Sequence, residues 1–446
     1  MRGRAGRTTR HVGRKSRRAQ DSRSVGRDVT ALRWIIDAYN LTYAAAILSA
    51  GTLGDLFGRR RLFCLGMLVF IGGSIGCALA PTIAWLIAAR AVTGVGAALE
   101  VPATLALLSV AFPERAQAAR ARALGIWASM NGFAFIIGPL LGGVLADTFG
   151  WRSLFAVAIP VALAAVVLAL GLPESEIASG HALDIGGQLL AASMLGGFAA
   201  AGMAAGTHDM QAGLFWLVVG GAAAAAFVAR ERRAISPLID LTLFRDGPFF
   251  AATLATMAMT FGMYGVLFLV PLILQTFQHR SAIEAGIALL PMSAVFVIVS
   301  TFSGSVVAAI GRRLTATAGM AAMAGGCLTL GFAGTGPPAL SCGLALAGLG
   351  LGLATGTLLG YAVARAPDER SGMAAGIGNA ARMLGATLGV AVIGGSISVA
   401  GSGHTQWVAL GFICGGLVQA LGTVAAFAGM RGGDRAPRSY SSRRLA

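Results

Sequence analysis

Charged residues are scarce in this sequence of 446 residues. Asp, Glu, Lys and Arg together make up 12% of the chain, whereas 56% of the residues are hydrophobic and the mean hydropathy is +0.76. A water-soluble protein of this size needs more charge to cover its surface, so a soluble globular fold is excluded. The chain needs lipid around it, and its 64 glycines suit closely packed membrane helices.

Residues that support catalysis, metal binding or nucleotide binding are also few. The only lysine, Lys15, follows Arg14 where a phosphate-binding loop requires Gly, so this ATP-binding loop is absent. The cysteines and histidines are scattered, in no spacing typical of a disulfide framework, a metal site or a catalytic group. They are Cys64, Cys77, Cys327, Cys342 and Cys414, and His11, His181, His208, His279 and His404. We therefore predict no enzyme activity, no metal and no cofactor, and any pumping must use an ion gradient or a separate ATPase subunit.

The net charge of +16 would suit a nucleic-acid-binding protein, but the location of the basic residues argues against that function. They lie in short gaps between apolar segments and at the two ends of the chain. Basic loops beside apolar helices are typical of the cytoplasmic side of a membrane protein. The predicted surroundings are therefore a lipid bilayer and no nucleic acid.

Thirteen apolar segments are long enough to cross about 30 Å of hydrocarbon as helices. They cover residues 34–53, 62–80, 84–110, 121–145, 152–172, 186–206, 212–229, 249–274, 283–309, 315–334, 339–364, 372–399 and 406–429. No gap between them could hold a soluble domain. The segments predict an all-α, polytopic membrane protein with about 13 transmembrane helices.

These segments divide the chain into five parts. Residues 31–175 are predicted to form an N-terminal helical bundle, residues 176–248 two linker spans and a cytoplasmic hinge loop, and residues 249–430 a C-terminal helical bundle. The two ends are basic tails: composition predicts disorder for residues 1–30, and residues 431–446 are expected in the cytoplasm.

The arginines predict which gaps face the cytoplasm, because gaps that hold two or more Arg alternate with gaps that hold one Arg or none. The cytoplasmic gaps are 58–61, 113–122, 230–245, 311–313 and 365–370; the outer gaps are 81–83, 147–152, 207–211, 275–282 and 335–338. The gap at 173–185 fits poorly, since alternation places it in the cytoplasm although it contains Glu174, Glu176 and Asp184 without Arg.

The N-terminal tail contradicts this distribution. An odd number of spans places residues 1–30 outside, although they contain ten Arg or Lys against two Asp. Either a preceding span is absent from this chain, or the start codon or reading frame is misassigned. The Arg, Gly and Ser bias of the tail favours the second explanation, a gene-model artefact.

An internal repeat predicts two related halves. The pattern Gly-x6-Gly-Arg-Arg occurs from Gly51 to Arg60 and again from Gly304 to Arg313, each time between two apolar segments. Repeats of this kind are typical of secondary transporters.

The first copy of this repeat is a candidate conformational latch. Gly58 permits a tight turn, and Asp55 can pair with an arginine or cap the following helix. Alternating access requires contacts that form in one conformation and break in another. We therefore assign the latch to Gly51, Asp55, Gly58, Arg59 and Arg60. A plain positively charged loop is the alternative.

Two charged residues lie within the apolar segment 84–110. An arginine at this depth costs roughly 2.5 to 3.5 kcal/mol on insertion scales, so Arg90 needs a partner unless it reaches the membrane surface. Glu100, about 15 Å further along, is the deepest acid and could bind and release a proton; a structural acid is the alternative. Gly94 and Gly96 between them follow no strand, so helix packing is their predicted role.

The motif Gly138-Pro139-x-x-Gly142-Gly143 lies near the end of the segment 121–145. Proline removes a helix hydrogen bond, and the glycines allow a kink and a close helix approach. We predict a hinge at this motif.

Together these motifs resemble the major facilitator superfamily, in its fourteen-span drug:proton antiporter branch. The loop at 51–61, the segment 90–98 and the motif at 138–143 are similar to that superfamily's loop signature, its proton-coupling arginine signature and its antiporter signature. Further matches are Trp34-x4-Tyr39-x-Leu41, Trp151-Arg152-x-x-Phe155 and Ala375-Gly376-x-x-Asn379-x-x-Arg382-x-x-Gly385. The resemblance covers about residues 31–430, and the antiporter signature favours export over import.

The sequence departs from this branch at three points. The first span, with its embedded acidic motif, is replaced by the basic tail, so the thirteen spans match the second to the fourteenth. Leu56 stands where the loop signature usually has a basic residue, and Ala158 where an Asn commonly follows Trp-Arg. With the first acid missing, Asp37 and Glu100 are the remaining candidates for the proton site.

The resemblance implies a two-bundle transporter of the plasma membrane with a central cavity near mid-membrane. A proton on Glu100 or Asp37 would alternate with a small lipophilic substrate, expected to be cationic, and Arg90 would adjust the proton affinity. The cavity is expected to include Tyr39, Trp127, Asn131, Tyr264, Gln275, Asn379 and Arg382. No accessory efflux subunit is identified by the sequence. The alternatives are an exporter of an endogenous metabolite or antibiotic, a nutrient importer, and an inactive transporter remnant.

Overall fold

The computed structural model describes most of the chain between residues 32 and 430. The described ranges are 32–47, 49–50, 53–54, 56–111, 130, 133–134, 137–174, 184–206, 209–234, 239–366, 371–398 and 404–430. Within them the chain is almost entirely helical and contains no β-strand. The predicted all-α, polytopic fold is confirmed.

The helices follow one another with short connections. They are α1 (32–47), α2 (Arg59–Ala78), α3 (Ile83–Ala111), α4 (Ile137–Phe149), α5 (Ser153–Ala156), α6 (Ala158–Ala169), α7 (Ile185–Gly206), α8 (Met210–Glu231), α9 (Gly247–Thr276), α10 (Ala282–Ala288), α11 (Leu290–Ala333), α12 (Pro337–Arg365), α13 (Ser371–Ser398) and α14 (His404–Gly429). A short 3-10 helix, Leu241–Arg245, precedes α9.

Every predicted span overlaps helix wherever the chain is described. In that part of the chain, nine helical segments are long and apolar enough to cross a membrane. One of them, Ala282–Ala333, has 52 residues and contains two predicted spans. The backbone leaves helical geometry at Gly311 inside α11, which separates these two spans.

The internal repeat has the same backbone geometry in both copies. Gly58 has a φ of 89° and Gly311 a φ of 82°, a region that side chains with a Cβ rarely adopt. Each glycine lies at the junction of two spans and is followed by two arginines. The repeated Gly-Arg-Arg therefore marks two equivalent turns, which only glycine forms without strain.

The helices pack into two sets joined by α7. Among the C-terminal helices α9–α14, α9 packs against α12, α13 and α14, and α11 packs against α12 and α14. Their buried side chains form one hydrophobic core. Among the N-terminal helices α1–α6, α2 packs against α3, α5 and α6. Helix α7 packs against α8 and α13, and its Gln188 accepts a hydrogen bond of 2.5 Å from Ser49 beside α1.

Large apolar side chains cover the outside of the helices. Leu168 on α6 is 77% exposed, and Leu421 on α14 is 70% exposed. A soluble monomer rarely shows large continuous apolar surfaces. These faces are therefore the ones that contact lipid.

Contacts between the loops agree with the topology predicted from the arginines. Asp147 contacts residues 282 and 283, and Arg152 donates to the Ala80 carbonyl at 2.9 Å; all lie in or beside predicted outer gaps. Glu174 contacts Arg60, which lies in a cytoplasmic turn. The gap that lacked Arg therefore starts on the cytoplasmic face, as alternation required.

Candidate functional site

The glycines at 94 and 96 bring three helices close together. A Cβ on Gly94 would overlap the Tyr39 carbonyl and the Thr42 side chain of α1. A Cβ on Gly96 would lie 2.7 Å from the Gly66 carbonyl of α2. The Thr42 hydroxyl also donates to the Ala91 carbonyl of α3 at 2.9 Å. The predicted packing role of both glycines is confirmed, and this packing holds the embedded charges of α3 against α1.

Arg90 has its partners inside the protein. Its Nε donates to the Ile35 carbonyl at 3.1 Å, and its Nη1 donates to the Thr93 hydroxyl at 3.4 Å. Its guanidinium carbon lies 4.3 Å from the centre of the Tyr39 ring and 5.9 Å from that of Phe155. Such stacking stabilises a cation by about 0.5 to 2 kcal/mol. The arginine therefore binds α1, and the alternative that it extends to the membrane surface is not supported.

Two stacked tyrosines of α1 connect Arg90 with the second embedded charge. The Tyr39 and Tyr43 rings lie 6.1 Å apart with an interplanar angle of 26°. The Tyr39 hydroxyl interacts electrostatically with Arg90, Tyr264 and Glu100. The Tyr43 hydroxyl interacts with Arg382, Tyr264 and Glu100. We call this group of residues from α1, α3, α9 and α13 the central polar cluster: Tyr39, Tyr43, Arg90, Glu100, Tyr264 and Arg382.

The central polar cluster lies deep in the predicted membrane. Glu100 and Arg382 each lie about 16 Å from the described cytoplasmic ends of α3 and α13, at about 1.5 Å per residue. Both side chains are partly buried, as is that of Tyr264. The cluster thus combines an acid, two arginines and three phenols contributed by both helix sets, at the depth where secondary transporters bind substrate.

Asp37 occupies a different place, near the outer end of α1. It has no exposed surface, and neither of its carboxyl oxygens has a hydrogen-bond partner in the described chain. Its closest charge along the helix is Arg33, which is equally buried and donates to the Gly394 carbonyl of α13 at 2.5 Å. Asp37 is therefore more completely buried by protein than Glu100, which was predicted to be the deepest acid. Arg33 was not among the residues predicted from the sequence, although its spacing of one helical turn from Asp37 places both on one helix face.

The cytoplasmic turn before α2 is held by an acid from the loop that follows α6. The backbone N–H groups of Arg60 and Arg61 donate to the two carboxyl oxygens of Glu174 at 2.9 and 3.2 Å. The same carboxylate lies 3.6 Å from Arg60 Nε, and Arg60 also donates to the Leu172 carbonyl at 2.9 Å. Glu174 therefore caps α2 through space. Of the predicted latch, Gly51 and Asp55 lie outside the described residues.

The outer end of α4 packs against α10, so it joins the two helix sets. A Cβ on Gly143 would lie 2.6 Å from the Ala282 carbonyl, and a Cβ on Gly286 would overlap the Pro139 carbonyl. Asp147 accepts hydrogen bonds from the backbone N–H groups of Ala282 at 3.1 Å and Ile283 at 2.8 Å. The motif at 138–143 is thus part of a contact between the sets, capped by one carboxylate.

A sequence model described as the Major Facilitator Superfamily matches residues 22–390. The chain belongs to the major facilitator superfamily. The multidrug resistance protein Stp of Mycobacterium tuberculosis is 40% identical over 382 residues, which cover 84% of this chain and 70% of that protein. The methylenomycin A resistance protein of Streptomyces coelicolor is 31% identical over 408 residues, which cover 91% of this chain and 85% of that protein.

The fold agrees with this family. The crystal structure of the human organic anion transporter MFSD10 superimposes with a TM-score of 0.59 at 17% identity, covering 88% of this chain and 83% of that one. At this identity the likeness concerns the fold alone. The predictions of a membrane transporter and of a multi-pass protein of the inner membrane are confirmed.

The three sequence motifs of this chain that resemble family signatures lie at different places in the structure. The arginine signature lies in the central polar cluster, the antiporter signature in the α4–α10 contact, and the loop signature beside Glu174. Among the described residues, none lies within 4 Å of a Cβ built on Gly138, and only Leu154 lies near one built on Gly142, at 3.9 Å. Helix α4 runs without interruption from Ile137 to Phe149, so the hinge stays a prediction.

The remaining predicted cavity residues differ in position. Asn379 lies one turn before Arg382 and bonds to it, with Nη1 to Oδ1 at 3.3 Å. Gln275 lies exposed at the outer end of α9, away from the central polar cluster. Trp127 and Asn131 lie outside the described residues. Tyr43, which sequence reasoning missed, follows Tyr39 by four residues and so shares its helix face.

Two further ion pairs tie the cytoplasmic ends of helices. Arg365 at the end of α12 forms two hydrogen bonds of 2.8 Å with the Asp246 carboxylate before α9. Arg230 of α8 lies 2.6 Å from Asp184, which precedes α7. The hydrogen bond from Arg230 lowers the pKa of Asp184 below its ordinary value. Both pairs stabilise the ends of neighbouring helices, and neither touches the central polar cluster.

Proposed function

We propose that this superfamily member is a drug efflux transporter that exports small lipophilic compounds, mainly cations, in exchange for protons. The observation that carries the proposal is the central polar cluster, in which Glu100 is partly buried at mid-membrane and within electrostatic range of Tyr39 and Tyr43. The names of its relatives, a multidrug resistance protein and an antibiotic resistance protein, support efflux of toxic compounds.

Glu100 is our candidate for the exchanging group. A charged carboxylate at this depth is costly, so it needs either a proton or a cationic partner. A proton and a cationic substrate would then compete for the same acid, and competition for one site is the simplest basis of antiport. Arg90 lies against Tyr39 and would adjust the proton affinity of this acid. Asp37, which is fully buried and accepts no hydrogen bond from the described residues, is the second candidate.

We propose that transport alternates between two bundles, residues 31–175 and 249–430, with residues 176–248 as linker. The bonds from Asp147 to α10 and from Arg33 to Gly394 connect the N-terminal and C-terminal helices at their outer ends. These contacts must break before the outer side can open. In the same cycle, the cytoplasmic turn at Gly58–Arg60 would act as a latch together with the Glu174 carboxylate that contacts it. The Gly138–Gly143 motif would act as a hinge. We assign the chain to the fourteen-span branch on its signatures.

Export of an antibiotic is the second candidate function. The relative from Streptomyces coelicolor is named for resistance to methylenomycin A and matches 91% of this chain. The same polar cluster and the same exchange of proton and substrate would serve either function. Only the natural substrate differs, and the arrangement of genes around this one would distinguish the two.

Accumulation of a cationic fluorescent dye tests the proposal. Pump-deficient bacteria that express this chain should exclude the dye, and a protonophore should abolish the exclusion because it removes the proton gradient. Detection of the protein in the membrane fraction is the control. Dye accumulation equal to that of cells without the transporter, with the protein present in the membrane, would reject proton-coupled export of cations.

A further inference from the structure

Arg382 is held in a defined orientation at the centre of α13. The Asn379 amide donates to the Ala375 carbonyl at 3.0 Å, which directs the Asn379 carbonyl oxygen toward the next turn. Arg382 Nη1 donates to that oxygen at 3.3 Å. Because Asn379 is itself anchored to the backbone, the guanidinium is positioned before any ligand arrives.

Most of the hydrogen-bonding capacity of Arg382 is unused. A guanidinium has five N–H donors, and the described chain accepts from one of its nitrogens. Its Nε is buried without a hydrogen-bond partner, and none of the ion pairs in the described residues includes it. An arginine at mid-membrane is costly and almost always has a partner or a function. Its free donors match the oxygens of a carboxylate or an acidic phenol.

The neighbours of Arg382 favour a planar ligand. Tyr43 interacts electrostatically with it and stacks on Tyr39, whose ring also contacts Arg90. Tyr264 from α9 is partly exposed in the same cluster. Flat aromatic rings bind well against such faces, and Glu100, which is within electrostatic range of both α1 tyrosines, suits a positive group.

We propose that Arg382, positioned by Asn379, binds an acidic group of the substrate, so that planar aromatic compounds with both a positive and an acidic group are the preferred cargo. This inference rests on the proposed export function and names its substrate class. The positive group lies toward Glu100, where it replaces the proton, and the acidic group lies toward Arg382. Neutral and purely cationic compounds leave the guanidinium without an acceptor and bind less tightly.

Two rhodamines that differ by one methyl ester provide a matched test. Rhodamine 110 carries a free carboxyl group, and rhodamine 123 is its methyl ester and a plain cation. Fluorescence polarisation with the purified full chain should show at least about ten-fold tighter binding of rhodamine 110, the difference expected for a charge-assisted hydrogen bond. Arg382→Gln should remove this preference, because it weakens the binding of rhodamine 110 about ten-fold more than that of rhodamine 123. Arg382→Lys should keep part of the preference, because lysine retains the charge but not the planar fork.

Arg233→Gln is the control variant, since it removes the same charge from an exposed residue beyond α8. Equal affinity of the wild-type chain for the two dyes would overturn the inference without any variant. So would an equal loss of both affinities in Arg382→Gln. Transport in vesicles separates the two proposals: proton-driven export of rhodamine 123 without a preference for the acid retains the function and rejects the subsite. A preference in binding without proton-driven transport of either dye retains the subsite and rejects the function.

Discussion

The N-terminal and C-terminal helices achieve their packing in different ways. The C-terminal helices α9–α14 share one hydrophobic core that extends from Leu243 to Met430. The described N-terminal helices contain several small hydrophobic clusters instead, and the charged side chains of Arg33, Asp37, Arg90 and Glu100 lie among them. The C-terminal set is a packed scaffold with one embedded arginine at its centre, whereas the N-terminal set holds most of the groups that can exchange charge.

The physical reason for this division is the membrane itself. Lipid is as apolar as a leucine side chain, so helices in a membrane associate through close packing and not through burial from water. The N-terminal helices, which carry most of the embedded charges, combine close packing at Gly94 and Gly96 with hydrogen bonds and arginine–tyrosine stacking. Changes of charge in one set and of packing in the other should therefore have different consequences.

The largest effect is expected from Glu100→Gln. Glutamine has the same shape as glutamic acid but cannot release a proton, so proton-driven efflux should fall to the level of cells without the transporter, while the amount of protein in the membrane stays the same. Dye efflux with parallel immunodetection measures both. Glu284→Gln, an acid in the outer capping box of α10, is the matched control. Unchanged efflux in Glu100→Gln would remove this acid from the mechanism.

The C-terminal scaffold should respond to packing. A Cβ on Gly385 of α13 would overlap the Met257 carbonyl and the Thr260 hydroxyl of α9. Gly385→Ala should therefore cost about 1 to 3 kcal/mol of stability, seen as a lower thermal unfolding temperature in detergent. Gly376→Ala on the same helix is the control, because no described residue lies within 4 Å of its Cβ and alanine is the better helix former. Equal stability of the two variants would contradict the close contact.

Asp147→Ala should weaken the contact between α4 and α10, which joins the two helix sets. The substitution removes both hydrogen bonds to α10, and loss of a helix cap costs about 0.5 to 2 kcal/mol, so the outer side should open more often. A cysteine at Ile36, which packs against the C-terminal core, should then react several-fold faster with an impermeant maleimide in a background without native cysteines. Asp209→Ala, which removes the cap of α8 only, should leave this rate unchanged; an increase in both variants would show general loosening.

The smallest effect is expected from Asp184→Asn, which removes the carboxylate that pairs the start of α7 with Arg230 at the end of α8. The pKa of Asp184 is lowered by its hydrogen bond with Arg230, so the pair stabilises the protein at neutral pH and loses this contribution only when acid protonates the carboxylate. Arg230 is half exposed, and exposed pairs contribute little. The variant should differ slightly from wild type in thermal stability near pH 7, and the difference should disappear in acid. A difference that grows in acid would have the wrong sign.

Much of the fold follows from local sequence patterns. Long apolar segments predicted the helices, since each span must satisfy its own backbone hydrogen bonds in lipid. The Gly-Arg-Arg repeats predicted the turns at Gly58 and Gly311, because a positive φ favours glycine at a junction of two helices. Gly94 and Gly96 were predicted to be packing residues, and a Cβ would collide at both.

The central polar cluster contains five of the residues selected from the sequence. Arg90 and Glu100 were selected as charges within an apolar segment, and Tyr39, Tyr264 and Arg382 as expected cavity residues; electrostatic interactions of the α1 tyrosines link them. Tyr43 and Arg33 were missed, although each lies one helical turn from a residue that was selected. Gln275 was selected for its polarity alone and lies at an exposed helix end.

Sequence alone thus determined the class of the protein and its helices, and it predicts the orientation in the membrane and the residue types available for exchange, because these depend on local hydropathy and on charges beside each span. Only the tertiary structure decided which distant residues contact one another. It placed Glu174 on the turn after Gly58, Asp147 on α10 and Arg33 on Gly394, pairs separated by more than 100 residues. Contacts of this kind depend on how helices cross in three dimensions, and no local pattern in a single chain encodes which distant helix a carboxylate will meet.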